Sequence, residues 1–554
     1  MGGFFGIISK SPCANTLFYG TDYHSHMGTK RAGLATMNEQ GIIRRSIHRI
    51  ENSYFRNKFE DELSDFYGNS GIGIISDNEP QPIVLRSHMG TFAIVTVGKI
   101  NNLEELGEEL LSRGINFSEL STGQINPTEV VGHLITLGQT FADGIRLVQE
   151  KVRGSCSMLL LTQDGIIAAR DRYGRTPIVI GVRRKNGHSP IPFEKNLAEA
   201  GPSGTPENMP APESQSATMQ GGPAAAHRSR ADGVQATAQV GRANGAQAAA
   251  QTGTAVPAGE LTAVAFASES CSFPNLDLQL VRFLGPGEAI LAQNTLPTDP
   301  AQPGMPLLQQ LLPPREKLQI CSFLWVYYGF PTSAYEGINV EEVRFRNGVL
   351  MGREEETPVD SVCSIPDSGT GMAMGYAVGK GVPFRQAVAK YTPTWPRSFM
   401  PADKERRALV ARMKLLPNAD VIRDARLVCC DDSIVRGTQL KNNVSVFMRN
   451  GAREIHVRIS CPPLIFKCPY LHFTTTRSDT ELITRRIIQT QKSDNLNLYI
   501  DSTTEEHKAM VEGIRKEMNF TTLKFSNIKN MIASIGLSRE KLCTYCFDGS
   551  GCGE

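Results

Sequence analysis

The feature that most constrains the fold is a strand–loop–helix pattern that occurs twice between about residues 317 and 465. One unit reads "DSVCSIPDSGTGMAMGYAVGKG" and the next reads "ARLVCCDDSIVRGTQLKNNVSVFMRNGA", and "EIHVRIS" follows as a third strand. Strands that alternate with helices predict a parallel sheet, and ligands of such sheets bind beyond the carboxyl ends of the strands. Asp431 and Asp432 fall at one of these ends.

The turn that follows the two acids has groups that suit a sugar phosphate. "SIVRGT" offers backbone N–H groups, two hydroxyls (Ser433 and Thr438) and the start of a helix, while Gly437 allows close approach of the backbone. The carboxylates can accept from ribose hydroxyls or hold Mg²⁺ beside a pyrophosphate. The alternative is a strand–turn–helix in which the acids only complement the helix dipole. Adjacent acids on a buried strand are costly without a ligand, which favours the binding site.

Length and composition indicate a soluble protein of several domains. The 554 residues exceed what one core usually organises. A net charge of +2, without a Lys/Arg-rich block, gives no reason to expect a nucleic-acid partner. No apolar run approaches the roughly 18 residues of a membrane span, and "MGGFFGIISKSPC" lacks the features of a signal peptide. We therefore expect a cytoplasmic protein that binds neither nucleic acid nor membranes.

The amino-terminal region is interrupted by a compositional change. Up to about residue 184 it mixes strand-forming runs such as "GTFAIVTVGKI" with helical spacing in "NNLEELGEELLSRG", which has a Gly stop. From about 185 to 259 the chain is rich in Ala, Gly, Pro, Gln and Ser and large apolar residues almost vanish, which predicts a disordered insertion. "LTAVAFASESCSF" then resumes a strand, so the insertion interrupts a domain.

Several motifs, in order, resemble the amidophosphoribosyltransferases, the glutamine–phosphoribosyl pyrophosphate (PRPP) enzymes that open purine synthesis. "DDSIVRGT" is similar to their PRPP loop, and "CSFLWVYYGFPTS", "IPDSG", "CPPLIFKCPY" and "CTYCFDG" also match. The resemblance implies an α/β and α+β protein with an N-terminal-nucleophile (Ntn) hydrolase-like αββα domain and a C-terminal type I phosphoribosyltransferase domain with a parallel sheet. The implied boundaries are residues 2–184 and 260–292 for the glutaminase-like domain, 185–259 for the insertion, 317–500 for the phosphoribosyltransferase domain and 501–554 for a helical, cysteine-bearing C-terminal region.

The resemblance also implies the residues of a PRPP site. Ser368, Asp431 and Asp432 would hold Mg²⁺. Lys390 and Arg397 would be catalytic, on a flexible loop that closes over pyrophosphate, although taken alone these two cations are typical of solvated loop charges. The residues implied to contact PRPP are Asp431, Asp432, Ser433, Arg436, Gly437 and Thr438.

Twelve cysteines in a chain expected to be cytoplasmic argue against a disulfide framework. The pair in "CTYC", Cys543 and Cys546, by itself fits a redox pair, half of a zinc site or two unrelated thiols. The resemblance adds Cys271 and Cys468 and implies a [4Fe–4S] cluster held by all four, as in one branch of the family. Zinc is the alternative metal, and Cys552 is a neighbour that could substitute.

The amino-terminal half departs from the family at its glutaminase residues. Gly2 stands where the family has its nucleophilic cysteine, and Ser76 stands at the Arg that grips the glutamine carboxylate. Val97 replaces the Asn of the oxyanion site, and Pro127 replaces the Asp that holds the substrate amine. Cys13 lies beyond the first strand without a matching motif. We therefore expect this site to be degenerate and glutamine hydrolysis to be lost.

Together these features predict an enzyme of purine biosynthesis that forms 5-phosphoribosylamine from PRPP and ammonia, which is either free or supplied by a separate protein. The alternative is a non-catalytic PRPP- or nucleotide-binding regulatory paralogue. A base-specific phosphoribosyltransferase is disfavoured, because the form "SIVRGT" and the flanking motifs are those of the amidotransferases. The family resemblance also implies a homo-oligomer, a tetramer.

Overall fold

A computed structural model describes residues 2–51, 53–121, 123–185, 260–296, 308–391, 415–472, 478–491 and 495–550. The insertion expected at 185–259 lies outside the described residues except at its first position, and so do Arg397 and Cys552. No helix in the described ranges has the length and apolar character that a membrane crossing requires.

The amino-terminal half is built mainly of antiparallel strands. Its helices are α1 (Ala14–Asp22), α2 (Phe55–Phe59), α3 (Leu103–Ser112), α4 (Pro127–Thr136) and α5 (Phe141–Lys151), with 3₁₀ turns at Glu60–Asp65 and Pro274–Leu276. Its strands are β1 (Gly3–Ser9), β2 (Arg31–Met37), β3 (Ile43–Arg49), β4 (Ser70–Ser76), β5 (Ile83–Ser87), β6 (Gly90–Ile100), β7 (Leu120–Ser121), β8 (Gln124–Ile125), β9 (Gly154–Thr162), β10 (Gly165–Ala169), β11 (Val179–Arg184), β12 (Leu261–Ala267), β13 (Gln279–Phe283), β14 (Ala289–Gln293) and β15 (Leu308–Leu312).

Most of these strands form two sheets that face each other between helices. The first has the order β13-β11-β12-β1-β4-β2-β3 and the second the order β15-β14-β10-β9-β6-β5. One core cluster joins the first sheet to α1 and α2 through Phe5, Leu17 and Phe55, and another joins the second sheet to α3, α4 and α5 through residues such as Leu110 and Val148. This arrangement agrees with the αββα layers expected from the sequence.

Strands β11 and β12 lie on either side of residues 186–259 and are direct antiparallel neighbours. Their register places Val179 opposite Ala267 and, at the far end, Arg184 opposite Leu261. The chain therefore leaves and re-enters one sheet at adjacent strands.

The carboxyl-terminal half contains a parallel sheet with helices packed on it. Its helices are α6 (Val340–Arg353), α7 (Thr370–Lys380), α8 (Ala419–Ile422), α9 (Thr438–Arg449), α10 (Ile483–Gln489), α11 (Asn497–Ile500), α12 (Glu505–Met518), α13 (Ile528–Ile535) and α14 (Tyr545–Asp548), with a π turn at Leu324–Tyr328 and 3₁₀ turns at Asp479–Glu481 and Arg539–Lys541. Its strands are β16 (Ile320–Cys321), β17 (Ala334–Tyr335), β18 (Ile338–Asn339), β19 (Ser361–Ser364), β20 (Val388–Lys390), β21 (Leu415–Pro417), β22 (Arg426–Asp431), β23 (Glu454–Ile459), β24 (Thr522–Phe525) and β25 (Leu542–Cys543).

Four of these strands form the parallel sheet in the order β19-β22-β23-β24. Strand β22 is buried from Leu427 to Asp431, as expected when helices cover both faces of a parallel sheet. Since all four strands run in the same direction, their carboxyl ends meet at one edge. This edge carries the predicted acids.

The two halves are tied together by a buried carboxylate, that of Glu269. It pairs with His26 Nε2 at 2.9 Å within the amino-terminal half. From the carboxyl-terminal half it accepts hydrogen bonds from the hydroxyl of Ser333, at 3.2 Å, and from the hydroxyl of Tyr335. A short parallel pairing of β16 with β25 also joins the C-terminal tail to the start of the carboxyl-terminal half.

Candidate functional site

The acidic edge is formed by the ends of the neighbouring strands β19 and β22. Ser368, in the turn after β19, donates its hydroxyl to Asp432 Oδ2 at 2.5 Å. Ser433 donates to the other carboxylate oxygen of Asp432, also at 2.5 Å. A Cβ on Gly369 would lie 2.6 Å from Cys430 O, so the glycine allows this turn to approach β22. The structure therefore brings together Ser368, Asp431, Asp432 and Ser433.

The electrostatics of this edge favour a bound cation. Asp431 and Asp432 are 8% and 7% exposed. Burial and the charge of Asp432 raise the pKa of Asp431 well above its usual range. Burial also raises the pKa of Asp432, although the hydroxyls of Ser368 and Ser433 and the charge of Arg344 favour its ionised form. Burial therefore makes the ionised form of both carboxyls costly, and a bound cation would reduce that cost.

These oxygen atoms fit a Mg²⁺ ion that arrives with a phosphorylated substrate. Mg²⁺ prefers oxygen ligands and is commonly held by one or two carboxylates together with substrate phosphates. Asp431, Asp432 and the Ser368 hydroxyl offer such a partial set. Among the described residues, no group of three or more His, Cys, Asp or Glu side chains could hold a metal on its own.

Lys390 lies beside this edge. Its ammonium group, at the end of β20, forms an ion pair with Asp367 in the turn that also carries Ser368. Both side chains are exposed, so Lys390 can exchange this partner for a ligand at low cost. Arg397, its predicted companion, is outside the described residues.

The loop between β22 and α9 supplies the expected helix start. Gly437 has a φ of 84° and caps α9, whose first residue is Thr438. This left-handed conformation explains the glycine. The guanidinium of Arg436 forms an ion pair with Glu481. Contact of Arg436, Gly437 and Thr438 with a phosphate stays a prediction.

The four predicted cluster cysteines are only partly brought together. Burial and the thiols of Cys321, Cys468 and Cys461 raise the pKa of Cys546 well above its usual range. Cys271 instead donates its thiol to Glu269 Oε2 at 3.6 Å. The described part of the chain therefore does not by itself form a cysteine metal centre. A metal cluster held by Cys271, Cys468, Cys543 and Cys546 stays a prediction.

In the amino-terminal half the degenerate glutaminase residues do lie together. A Cβ on Gly2 would be 2.9 Å from Ile75 O, 3.7 Å from Ser76 Cα and 3.6 Å from Val97 Cγ2. Pro127 is the first residue of α4, and the next residue, Thr128, shares a hydrogen bond with Thr96 at 2.6 Å. Gly2, Ser76 and Val97 therefore lie close together, and their reading as a degenerate glutaminase site stays a prediction.

Glu79, Gln81, Thr96 and Thr128 form a hydrogen-bond network in this neighbourhood that no sequence motif indicates. Gln81 accepts from Thr96 N at 2.7 Å and donates to Thr96 O at 3.2 Å. Gln81 and Thr128 both donate to the carboxylate of Glu79, at 2.7 and 3.2 Å. Burial raises the pKa of Glu79. Thr96, the residue before Val97, is thus held on both of its backbone polar groups by Gln81.

The described thiols near this half are poor nucleophiles. Cys13 follows the opposite end of β1 from Gly2 and is buried in the core, where burial raises its pKa to about 12. Cys156 lies opposite Gly98 in the second sheet. Burial and the charges of Asp171 and Glu79 raise its pKa further. Neither thiol forms a thiolate readily, and a thiolate is the reactive species.

Comparisons with known proteins cover the whole chain. A family model described as a glutamine amidotransferase domain matches residues 70–189. The amidophosphoribosyltransferase of Methanocaldococcus jannaschii is 24% identical over 99% of this chain and 97% of that protein. The Bacillus subtilis amidophosphoribosyltransferase is 25% identical over 100% of this chain and 91% of that protein.

The solved structures support the fold class. The glutamine PRPP amidotransferase of B. subtilis, complexed with ADP and GMP, aligns with a TM-score of 0.72 at 24% identity and covers 100% of this chain and 97% of that chain. The Ntn-hydrolase-like domain and the phosphoribosyltransferase-type parallel sheet are therefore confirmed as the fold of the two halves. Together, these matches identify the chain as a homologue of the amidophosphoribosyltransferases over its whole length.

Proposed function

We propose that the protein is a pentosyltransferase that forms 5-phosphoribosylamine from PRPP with ammonia. The observation that carries this proposal is the buried pair Asp431 and Asp432 beside the Ser368 hydroxyl, at the edge where parallel sheets bind ligands. The names of its relatives support the reaction, and purine biosynthesis follows from the same kinship.

In this proposal the chain's own residues orient the ribose and neutralise the leaving group. Asp431 and Asp432 accept hydrogen bonds from the ribose hydroxyls. The loop before α9 donates hydrogen bonds from its backbone N–H groups to the 5′-phosphate. Ser368, Asp431 and Asp432 would hold Mg²⁺, which would supply positive charge to neutralise pyrophosphate. Lys390 leaves Asp367 for the pyrophosphate oxygens, where its charge stabilises the transition state as negative charge develops on the leaving group. Arg397 has the same proposed role.

We also propose that the amino-terminal half does not hydrolyse glutamine. Support comes from Gly2, which carries no nucleophile, and from the closely packed surroundings of its Cα. The internal bonds of Gln81 to Thr96 add to this argument. Ammonia then has to come from solution or from a separate protein.

The test compares ammonia and glutamine as nitrogen donors in the same assay. Pyrophosphate release from PRPP should depend on ammonia and on Mg²⁺ and should stay at background with glutamine. Release with glutamine alone would contradict the loss of glutaminase activity. Tight PRPP binding without turnover would instead favour the regulatory paralogue.

A further inference from the structure

The loop between β22 and α9 is held from its outer side by the segment that contains α10. Ile483 N donates to Val435 O at 2.8 Å. Arg486 Nη2 donates to the next carbonyl, Arg436 O, at 3.1 Å. A Cβ on Gly437 would lie 2.8 Å from both Ile483 Cδ1 and Met518 Sδ, so α10 and α12 also pack closely against the last residue of the loop.

Arg486 connects this loop to α12. The same nitrogen that contacts Arg436 O lies 2.9 Å from Glu517 Oε1. Both side chains are more than one third exposed, so the ion pair itself adds little stability. The ion pair instead restricts the orientation of the Arg486 guanidinium. A planar guanidinium held by the Glu517 carboxylate has few orientations in which it also reaches the Arg436 carbonyl.

The direction of these carbonyls fixes the direction of the loop amides. In a trans peptide the C=O of one residue and the N–H of the next point in opposite directions. Val435 O and Arg436 O point toward α10, so the N–H groups of Arg436 and Gly437 point away from it. Amides that share a direction are the groups that bind phosphate in such turns.

We propose that Arg486 is a positioning residue for the phosphate-binding loop. It holds the Arg436 carbonyl outward and thereby keeps the loop amides oriented for the 5′-phosphate of PRPP. The identity of the ligand, PRPP, rests on the proposed function, whereas the orientation of the loop amides by Arg486 does not.

The test uses the full chain with Arg486→Met and a matched control, Arg485→Met. The control removes the neighbouring arginine of the same helix, whose guanidinium pairs with Asp479 at 3.7 Å. Hydrogen–deuterium exchange of unliganded protein, followed by mass spectrometry over residues 432–440, should be about tenfold faster for Arg486→Met, the effect of losing one charge-assisted hydrogen bond. The dissociation constant of Mg–PRPP should rise by a similar factor, and Arg486→Lys should recover part of both effects.

The two measurements separate this proposal from the proposed function. If exchange over the loop is the same in Arg486→Met and Arg485→Met, the positioning role is wrong. If the exchange rates differ as expected but wild-type protein does not bind Mg–PRPP, the positioning role stands and the PRPP assignment fails. Equal melting temperatures of the two variants would exclude general destabilisation as the cause. A lower melting temperature of Arg486→Met alone, without faster hydrogen exchange over residues 432–440, would overturn the proposal.

Discussion

Two hydroxyls reach the Asp432 carboxylate from different segments, Ser368 from the turn after β19 and Ser433 from the loop after β22. Each hydroxyl donates its hydrogen to that carboxylate, so each hydroxyl oxygen can act as a ligand for a cation through its lone pairs. Burial raises the pKa of both Asp431 and Asp432, although the charge of Arg344 favours the ionised form of Asp432. A divalent cation would favour the ionised form of both carboxyls.

Asp432→Asn should weaken the binding of Mg–PRPP by at least about tenfold, because an amide removes one charged oxygen ligand of the cation. Titration calorimetry with and without Mg²⁺ measures this effect. Asp360→Asn is the matched control, since Asp360 precedes β19, at the opposite edge of the parallel sheet from Asp432, and pairs with Arg426. Equal affinity in wild type and Asp432→Asn would contradict the assignment of the acid pair.

Gly2→Cys should not restore glutamine hydrolysis. The new Cβ would meet Ile75 O at 2.9 Å, so the backbone has to shift before a thiol can be placed. Ser76, Val97 and Pro127 would still lack the groups that hold glutamine and its oxyanion. Ammonia release from glutamine and labelling by a glutamine-like electrophile should both stay at background. Labelling of the wild-type chain would show that another residue acts as the nucleophile.

At the scale of elements, the sequence predicted the strand, turn and helix around the acids well. The apolar run "RLVCC" became β22, and the helix expected after the Gly-Thr pair begins at Thr438. These elements were visible because their signals are local. The contacts of α10 with the loop could not be predicted, since Arg486 and Arg436 are 50 positions apart and share no pattern.

The glutaminase network shows the same limit. Substitution at Ser76, Val97 and Pro127 was readable residue by residue, because each position carries a family motif. Glu79 and Gln81 belong to no motif that the sequence analysis identified, and their role depends on a bond between β6 and a loop. Side-chain networks of this kind need three-dimensional contacts to be seen.

The C-terminal tail gives a prediction about metal content. Strand β25 ends at Cys543, opposite Cys321 of β16, and α14 carries Cys546 close to Cys468. Protein prepared without oxygen should contain about four irons per chain and absorb broadly near 400 nm. Cys468→Ser should abolish the iron, whereas Cys461→Ser, at a thiol that donates to Asp432 O, should retain it. Stoichiometric zinc would favour the alternative metal, and metal-free folded protein would contradict both.

At the scale of the whole molecule, buried ionisable groups couple folding to pH. Burial lowers the pKa of His24 to about 4. Glu269 has a pKa lowered to about 2; burial opposes this shift, and the charge and hydrogen bond of His26 outweigh it. Both groups bind fewer protons in the folded protein than in the unfolded chain. The free energy of unfolding therefore falls as the pH falls, first through His24 and then, below about 4.5, through Glu269.

Stability should consequently be lower at pH 4.5 than at pH 7.5, and His24 alone should contribute up to about 3 kcal/mol between pH 6.5 and 4. His24→Asn keeps a donor for Gly20 O, the partner of His24 Nδ1 at 2.8 Å, but removes the titration. Urea denaturation at both pH values should show a smaller pH difference for this variant. His48→Asn, at a half-exposed histidine, is the control. An identical pH difference in wild type and His24→Asn would contradict the role of His24.

The pairing of β11 with β12 has a consequence for how this chain can change in length. Two antiparallel neighbours need only a turn of a few residues between them. A longer connection raises the entropic cost of closing the loop only slowly, by about 0.6 kcal/mol for each doubling of the loop length. Because Arg184 faces Leu261 at the open end of the pair, residues can be added or removed between them without moving the register of the sheet. An affinity tag or a small fluorescent domain could therefore be inserted at this position while both halves keep their contacts.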